Sequence, residues 1–214
     1  MHQTIINLDS IKKELQLKMI KLPSIIAVSK TFPISKILPL IDYGHIHFGE
    51  NKVQEAVEKW TDIKQKYNKV KLHMIGKLQT NKVKFVIPLF DYIHSLDNEK
   101  LALKLSEEQK KYEKKPKIFI QINVANENQK SGINKEILGD FYHYCKNLNL
   151  DIVGLMCLPP NDKNPTIFFK EMQNLSKSLN LNELSMGMTA DYIEAAKNSS
   201  TFLRIGSKIF GERF

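Results

Sequence analysis

Residues 183–210 read ELSMGMTADYIEAAKNSSTFLRIGSKIF. A short apolar run at 183–186 gives way to Gly187 and then to Thr189-Ala-Asp-Tyr, a helix-opening sequence. A second apolar run at 202–206 follows the helical stretch and ends on Gly206-Ser207. Strand, loop, helix and strand in that order call for parallel strands joined by a crossover helix. The same alternation runs back to the start of the chain. Further strands are expected near 24–29, 45–48, 71–75, 91–95, 117–124 and 151–155, with amphipathic helices at 50–66, 97–113, 134–148 and 164–180. Eight such strands imply an α/β fold of the closed (β/α)8 TIM-barrel type. An open doubly wound sheet competes with it, but no G-x-G-x-x-G follows the first strand. No linker, repeat or low-complexity segment interrupts residues 1–214, so one domain is expected, with residues 1–22 forming an N-terminal helix packed on it.

Composition narrows the function. The hydrophobic share of 42% and charged share of 26% are those of an ordinary globular chain. The longest apolar runs, such as FVIPLF at 85–90, are too short for a membrane span. The N-terminal MHQTIINLDSIKKELQ lacks the apolar core and cleavage site of a signal peptide. Cys145 and Cys157 form neither a disulfide framework nor a zinc motif, which makes a reducing cytoplasm the expected location. The net charge of +9 raises nucleic-acid binding. The lysines, however, alternate with glutamates along helical segments, as on solvated faces, and no specific nucleic-acid partner is expected. Nearly every cation is a lysine; the two arginines are Arg204 and Arg213. Only arginine offers a permanently charged planar fork, which singles out Arg204 at the end of the eighth strand.

Active sites of such barrels gather at the C-terminal ends of the strands. Those ends carry the unusual residues here: Lys30 after the first strand, FGEN after the second, IGKLQTNK after the third, NVANENQKSG after the fifth, SMGM after the seventh and RIGS after the eighth. The loops after strands seven and eight commonly hold a phosphate. Ser185, Gly187 and Thr189 stand on one of them and Gly206 and Ser207 on the other. A lysine amine beside a phosphate site fits an aldehyde-bearing phosphorylated cofactor, pyridoxal 5′-phosphate (PLP). An arginine facing the ring nitrogen disfavours its protonation and weakens the ring as an electron sink. Lys30, the phosphate loops and Arg204 supply the three groups this cofactor needs.

The motifs AVSKTFP, HFGENKVQEAVEK, HMIGKLQTNKVK, IHSLD, FIQINVANENQKSGI, GLMCLPP and LSMGMTADYIEAAKNSSTFLRIGSKIFGER follow one another in order from about residue 24 to the C-terminus. Together they resemble the pyridoxal phosphate homeostasis protein family, which is similar to the N-terminal barrel of alanine racemase without its second domain. The resemblance implies that Lys30 carries PLP as a Schiff base and that Arg204 faces the pyridine nitrogen. It also implies that Ser185, Gly206 and Ser207 hold the phosphate, and that Asn51, His73 and Met74 line the pocket near the ring. Two positions depart from the family pattern: Ser199 stands where glycine is usual, and Lys77 where proline or histidine is common. The Ser199 departure bears on Ser200 and Thr201 as phosphate contacts.

The resemblance implies no catalysis. Racemisation needs an acid–base group on each face of the substrate α-carbon, and in the racemases the second is a tyrosine from the domain that has no counterpart here. Of the seven tyrosines, Tyr92, Tyr142 and Tyr192 fall in strand or helix patterns. The expected role is a PLP carrier in vitamin B6 and amino-acid homeostasis, with PLP-dependent apo-enzymes as possible recipients. The alternatives are a PLP-dependent amino-acid racemase or lyase, and a basic nucleic-acid-binding barrel. A monomer is expected, because no second domain remains to build a racemase-like dimer. His45 and His47 form an H-x-H pair without a third ligand of suitable spacing, so no metal is expected. His94 is expected to hydrogen-bond within the barrel mouth, Trp60 to pack on the apolar side of a helix, and Cys157 to be a buried structural thiol.

Overall fold

The computed structural model describes residues 1–127 and 129–212, which leaves Arg213 outside the described residues. Its strands are β1 (Ser24–Val28), β2 (His47–Glu50), β3 (Lys71–Met74), β4 (Tyr92–Leu96), β5 (Lys117–Ile122), β6 (Asp151–Cys157), β7 (Glu183–Ser185) and β8 (Phe202–Ile205). They pair in parallel, each with its successor in sequence, and β8 closes on β1 to complete the barrel. The helices are α1 (Gln3–Gln16), α2 (Ile34–Asp42), α3 (Val53–Lys66), α4 (Val83–Leu89), α5 (Glu99–Lys111), α6 (Leu138–Asn147), α7 (Pro165–Ser178), α8 (Tyr192–Lys197) and α9 (Ser207–Phe210). Among the described residues no helix is long and apolar enough to cross a membrane.

Two hydrophobic layers follow from the alternation of side chains along each strand. Leu72, Met74, Phe48 and Ala27 belong to the large layer between the barrel wall and the helices. Ile26, Phe119, Met156 and Phe202 form a smaller cluster inside the barrel, bordered by Tyr92, Val153 and Leu158. Register then assigns the polar residues. Ile26 pairs with Arg204, Gly49 with His73, and Met156 with Ser185, so these neighbours share the interior face. A side chain at Gly49 would place its Cβ 2.8 Å from Ile26 Cγ2, which is why the narrow interior takes glycine there.

Local chemistry sets the element ends. Asn98 caps α5 by accepting the Leu101 N–H at 2.9 Å, and Asn164 caps α7 ahead of Pro165. β2 begins at His47 rather than at the expected residue 45. Gly44, at φ +92°, ends α2: its N–H donates to Ile41 O and the His45 N–H to Leu40 O, both at 2.9 Å. This Schellman cap uses the His45 amide and delays the strand. α1 packs Leu8, Ile11 and Leu15 into the core. It is fastened to α9 by Asn7 Nδ2, which donates to Ile209 O at 2.9 Å, and by a Lys208–Glu14 ion pair at 3.0 Å.

Candidate functional site

Lys30 follows β1 directly, and its two neighbours are clamped. The Ser29 N–H is still paired to Gly49 O at 3.0 Å, so strand alternation carries one residue further and sets Lys30 on the side of Ile26. Ser29 Oγ donates to Glu50 Oε1 at 2.7 Å on the opposite side. That buried carboxylate oxygen also accepts from Trp60 Nε1 at 2.9 Å and Lys59 Nζ at 3.0 Å. Lys59 Nζ donates further to Ser29 O at 3.0 Å and to Glu55 Oε1 at 2.8 Å. Thr31 has φ +67°, a left-handed conformation that a β-branched residue rarely adopts, and its N–H is held by Glu55 Oε1 at 2.5 Å. Burial raises the Glu55 pKa, but the hydrogen bonds from Lys59 and the Thr31 N–H outweigh it and leave the carboxyl below its ordinary value. The turn continues into Phe32, which stacks on Phe210 of α9 with ring centroids 5.0 Å apart. The lysine loop and the segment after Gly206 are therefore packed together.

Arg204 is buried at the end of β8. One guanidinium nitrogen donates to Ser185 Oγ and Ser185 O, both at 2.6 Å, and the other to Cys157 O at 2.9 Å. An arginine carries five N–H donors, more than these three bonds use. Burial lowers its pKa, from a starting value high enough for the charge to persist. Behind Ser185 the polar chain continues. Ser185 Oγ lies 2.8 Å from His94 Nδ1, His94 Nε2 lies 2.9 Å from His73 Nδ1, and His73 Nε2 lies 2.9 Å from His47 Nδ1. His94 stacks on Phe119 and His73 on Tyr92, with centroids 4.3 and 4.2 Å apart. Burial, reinforced by neighbouring positive charge, holds the pKa of His73 and of His94 well below the ordinary range. His47, at the N-terminal end of the barrel, is lowered to about 4 by burial and then by Lys71.

The two loops expected to hold phosphate meet above Arg204. The Arg204 N–H donates to Gly187 O at 2.9 Å, which ties the β7 loop to β8. Gly187 has φ +91°, and a Cβ there would lie 2.5 Å from the Ala195 methyl, so the turn admits only glycine. Ser207 Oγ and Thr189 Oγ1 stand 3.4 Å apart, one from each loop. Ser185 does not join them: it is fully buried, with its hydroxyl engaged by Arg204 and His94. Ser200 and Thr201 lie just before β8, at the opposite end of the barrel, where their hydroxyls bond Met186 O and Leu184 O and brace β7 against β8.

Asn51 stands at the mouth beside Gly76, whose Cβ would lie 2.4 Å from Asn51 O. Its Oδ1 is buried with no hydrogen-bond partner among the described residues. A cavity of about 300 Å³ opens next to it, lined by Ile75, Gly76, Lys77, Gln121, Asn123 and Leu158. His73 lies below this level, inside the barrel. Met74 does not line this cavity. One position along the strand from His73, it faces outward into the layer beneath the helices and is fully buried there.

Comparison with known proteins fits this geometry. Residues 6–213 match the family model of the alanine racemase N-terminal domain. The pyridoxal phosphate homeostasis protein of Pasteurella multocida is 38% identical over 200 residues, covering 88% of this chain and 86% of the relative. That of Escherichia coli K12 is 34% identical over 200 residues, covering 89% and 86%. The chain belongs to the pyridoxal phosphate homeostasis protein family. PipY of Synechococcus elongatus, solved with PLP bound, superposes with a TM-score of 0.88 at 29% identity, covering 98% of this chain and all of PipY. Alanine racemase of Clostridium difficile shares the fold, with a TM-score of 0.78 at 14% identity, and this chain spans 57% of it.

Within this family member, the sequence named Lys30, Arg204 and the two loops as candidates and did not name three supports. These are the Glu50–Lys59–Glu55 lattice around Lys30, the histidine chain behind Ser185 and the carbonyl of Cys157 under Arg204. The histidines carried a signal: His47, His73 and His94 occupy β2, β3 and β4 at the inward phase of each. Trp60 packs on Phe48 as expected and also donates to Glu50. The Cys157 thiol is buried, and burial pushes its pKa up to about 12.

Proposed function

We propose that this protein binds PLP as a Schiff base on Lys30 and serves intracellular vitamin B6 and amino-acid homeostasis without catalytic turnover. The observation that carries the reading is Arg204: an interior guanidinium, held by three hydrogen bonds at the end of β8, close to the loops that bear Ser207 and Thr189. The residues present suit the cofactor. Asn51 Oδ1 is a buried acceptor without a hydrogen-bond partner among the described residues, and the Gly206-Ser207 turn that opens α9 offers backbone N–H groups of the kind that suit an anionic oxygen. PLP supplies an aldehyde for the lysine amine and a ring that withdraws electrons.

The chain's own groups divide the work. The clamp on Ser29 and Thr31 orients Lys30. Arg204 would present N–H donors to the ring nitrogen and, unable to give up its charge, would disfavour protonation there. Ser207, Thr189 and the Gly206 backbone receive the phosphate, while Ser185 seats Arg204 from below. Restraint from turnover is supported by the tyrosines: Tyr92 is stacked on His73, and the Tyr192 hydroxyl is engaged by Glu14 and Lys208. The same reading makes PLP-dependent apo-enzymes the recipients of the cofactor, and the protein a cytoplasmic monomer.

The wild type loaded with PLP is expected to show a visible absorption band that Lys30→Ala lacks, and to release cofactor to an apo-enzyme without converting amino acids. Racemisation or lyase turnover that disappears in Lys30→Ala would replace this reading with that of a PLP enzyme.

A further inference from the structure

The hydrogen-bond chain from Arg204 to His47 crosses the barrel interior, and the donor inventory together with the cost of leaving a buried hydroxyl proton unplaced sets the direction of each bond. The guanidinium has no acceptor. It therefore donates to Ser185 Oγ, as its 2.6 Å separation requires. A hydroxyl that accepts on that side has its own proton to place, and the nearest acceptor is His94 Nδ1 at 2.8 Å. His94 must then carry its proton on Nε2 and donate to His73 Nδ1 at 2.9 Å. His73 in turn carries its proton on Nε2 and donates to His47 Nδ1 at 2.9 Å. The sequence of bonds has one polarity, set from the arginine end.

We propose that His94 and His73 are positioning residues for Arg204, locked as neutral Nε2–H tautomers, and that through Ser185 they hold the guanidinium in the orientation it presents to the bound ring. The assignment rests on the cofactor reading for what Arg204 faces, but not for the tautomers themselves. Burial supports it independently: His73, His94 and Ser185 are each fully buried, and among the described residues no buried carboxylate stands inside the barrel to balance a second cation beside Arg204. Aromatic packing keeps the rings in line. Phe119 and Tyr92 stack on the two imidazoles, and Phe202 meets both, at 6.2 Å from His94 and 5.5 Å from His73. An imidazole carrying its proton on Nδ1 would instead face a donor with a donor at one of its nitrogens and an acceptor with an acceptor at the other.

The test is nitrogen-15 NMR of the histidine side chains at neutral pH, first on the protein without cofactor. His47, His73 and His94 are expected as Nε2–H tautomers, assigned by single substitutions. His94→Phe keeps the stack on Phe119 but breaks the chain, and His73 should then lose its single-tautomer signature. His94→Gln, which retains one acceptor and one donor, should restore it. In the PLP-loaded protein, His94→Phe should shift the visible band and His94→Gln should return it towards wild type. An Nδ1–H or doubly protonated His94 in the wild type would overturn the proposal. So would His94→Phe leaving both the His73 tautomer and the band unchanged. Failure of the protein to bind PLP would remove the cofactor reading alone, since the tautomers are read without it. If His94→Phe does not fold, the wild-type tautomers still decide.

Discussion

Lys30 is set in place by its neighbours. Ser29 and Thr31 are each bonded to a carboxylate, Glu50 and Glu55, and Lys59 bridges the two. A strand-end lysine on a mobile loop would spend side-chain and backbone entropy on every encounter with a ligand. Here that cost is met on folding. Glu50 Oε1 is buried and depends on Trp60 Nε1 as one of its three donors. Trp60→Phe should therefore lower stability by about 1–3 kcal/mol, measured by urea denaturation, even though the aromatic packing on Phe48 is kept. At this scale the sequence was legible where a residue type was rare for its setting. Lys30 ends an apolar strand, and Arg204 is an arginine in a lysine-rich chain. Met74 was misplaced because a motif was read as a unit. Adjacent strand residues face opposite ways, so of His73 and Met74 only the histidine points inward.

Among the elements, the alternation of apolar strands and amphipathic helices identified every strand, and the boundaries moved where caps took over. The Schellman cap at Gly44 displaced the start of β2, as no apolar pattern could indicate. The connection from α8 to β8 holds another such feature. Ser199 sits at φ +66°, where glycine is free and serine is strained. Its hydroxyl accepts only a surface bond from Gln173 Nε2. Ser199→Gly should raise stability by about 0.5–1 kcal/mol, read as a shift of the thermal midpoint with cofactor binding unchanged. A loss of binding would place this connection in the phosphate site after all, against the position of Ser200 and Thr201 at the far end of the barrel.

For the whole molecule, an imidazole core carries a consequence in acid. His45 and His47 are lowered to about 4, His45 by burial and then by His47, His47 by burial and then by Lys71, with Asp91 opposing. His73 and His94, inside the barrel, are also held well below the ordinary value. In the unfolded chain each takes up a proton as pH falls through about 6.5. Between that value and about 4 the unfolded state binds more protons than the folded one, so stability falls as pH falls across this window. Denaturation midpoints measured from neutral pH down to about 4.5 should decline accordingly, and a flat profile would mean that the imidazoles are not held neutral. The barrel itself was readable from eight repeats of one pattern. The chain of histidines through it was not, because periodicity gives the face of a residue but not which inward residues meet.

The most direct test of the cofactor reading is borohydride reduction of the PLP-loaded protein followed by peptide mass analysis. Loss of the visible band, with the mass of reduced cofactor found on the peptide containing Lys30 and absent in Lys30→Ala, is the predicted result. Cofactor mass on another lysine, or none retained after reduction, would contradict the assignment of Lys30 as the anchor.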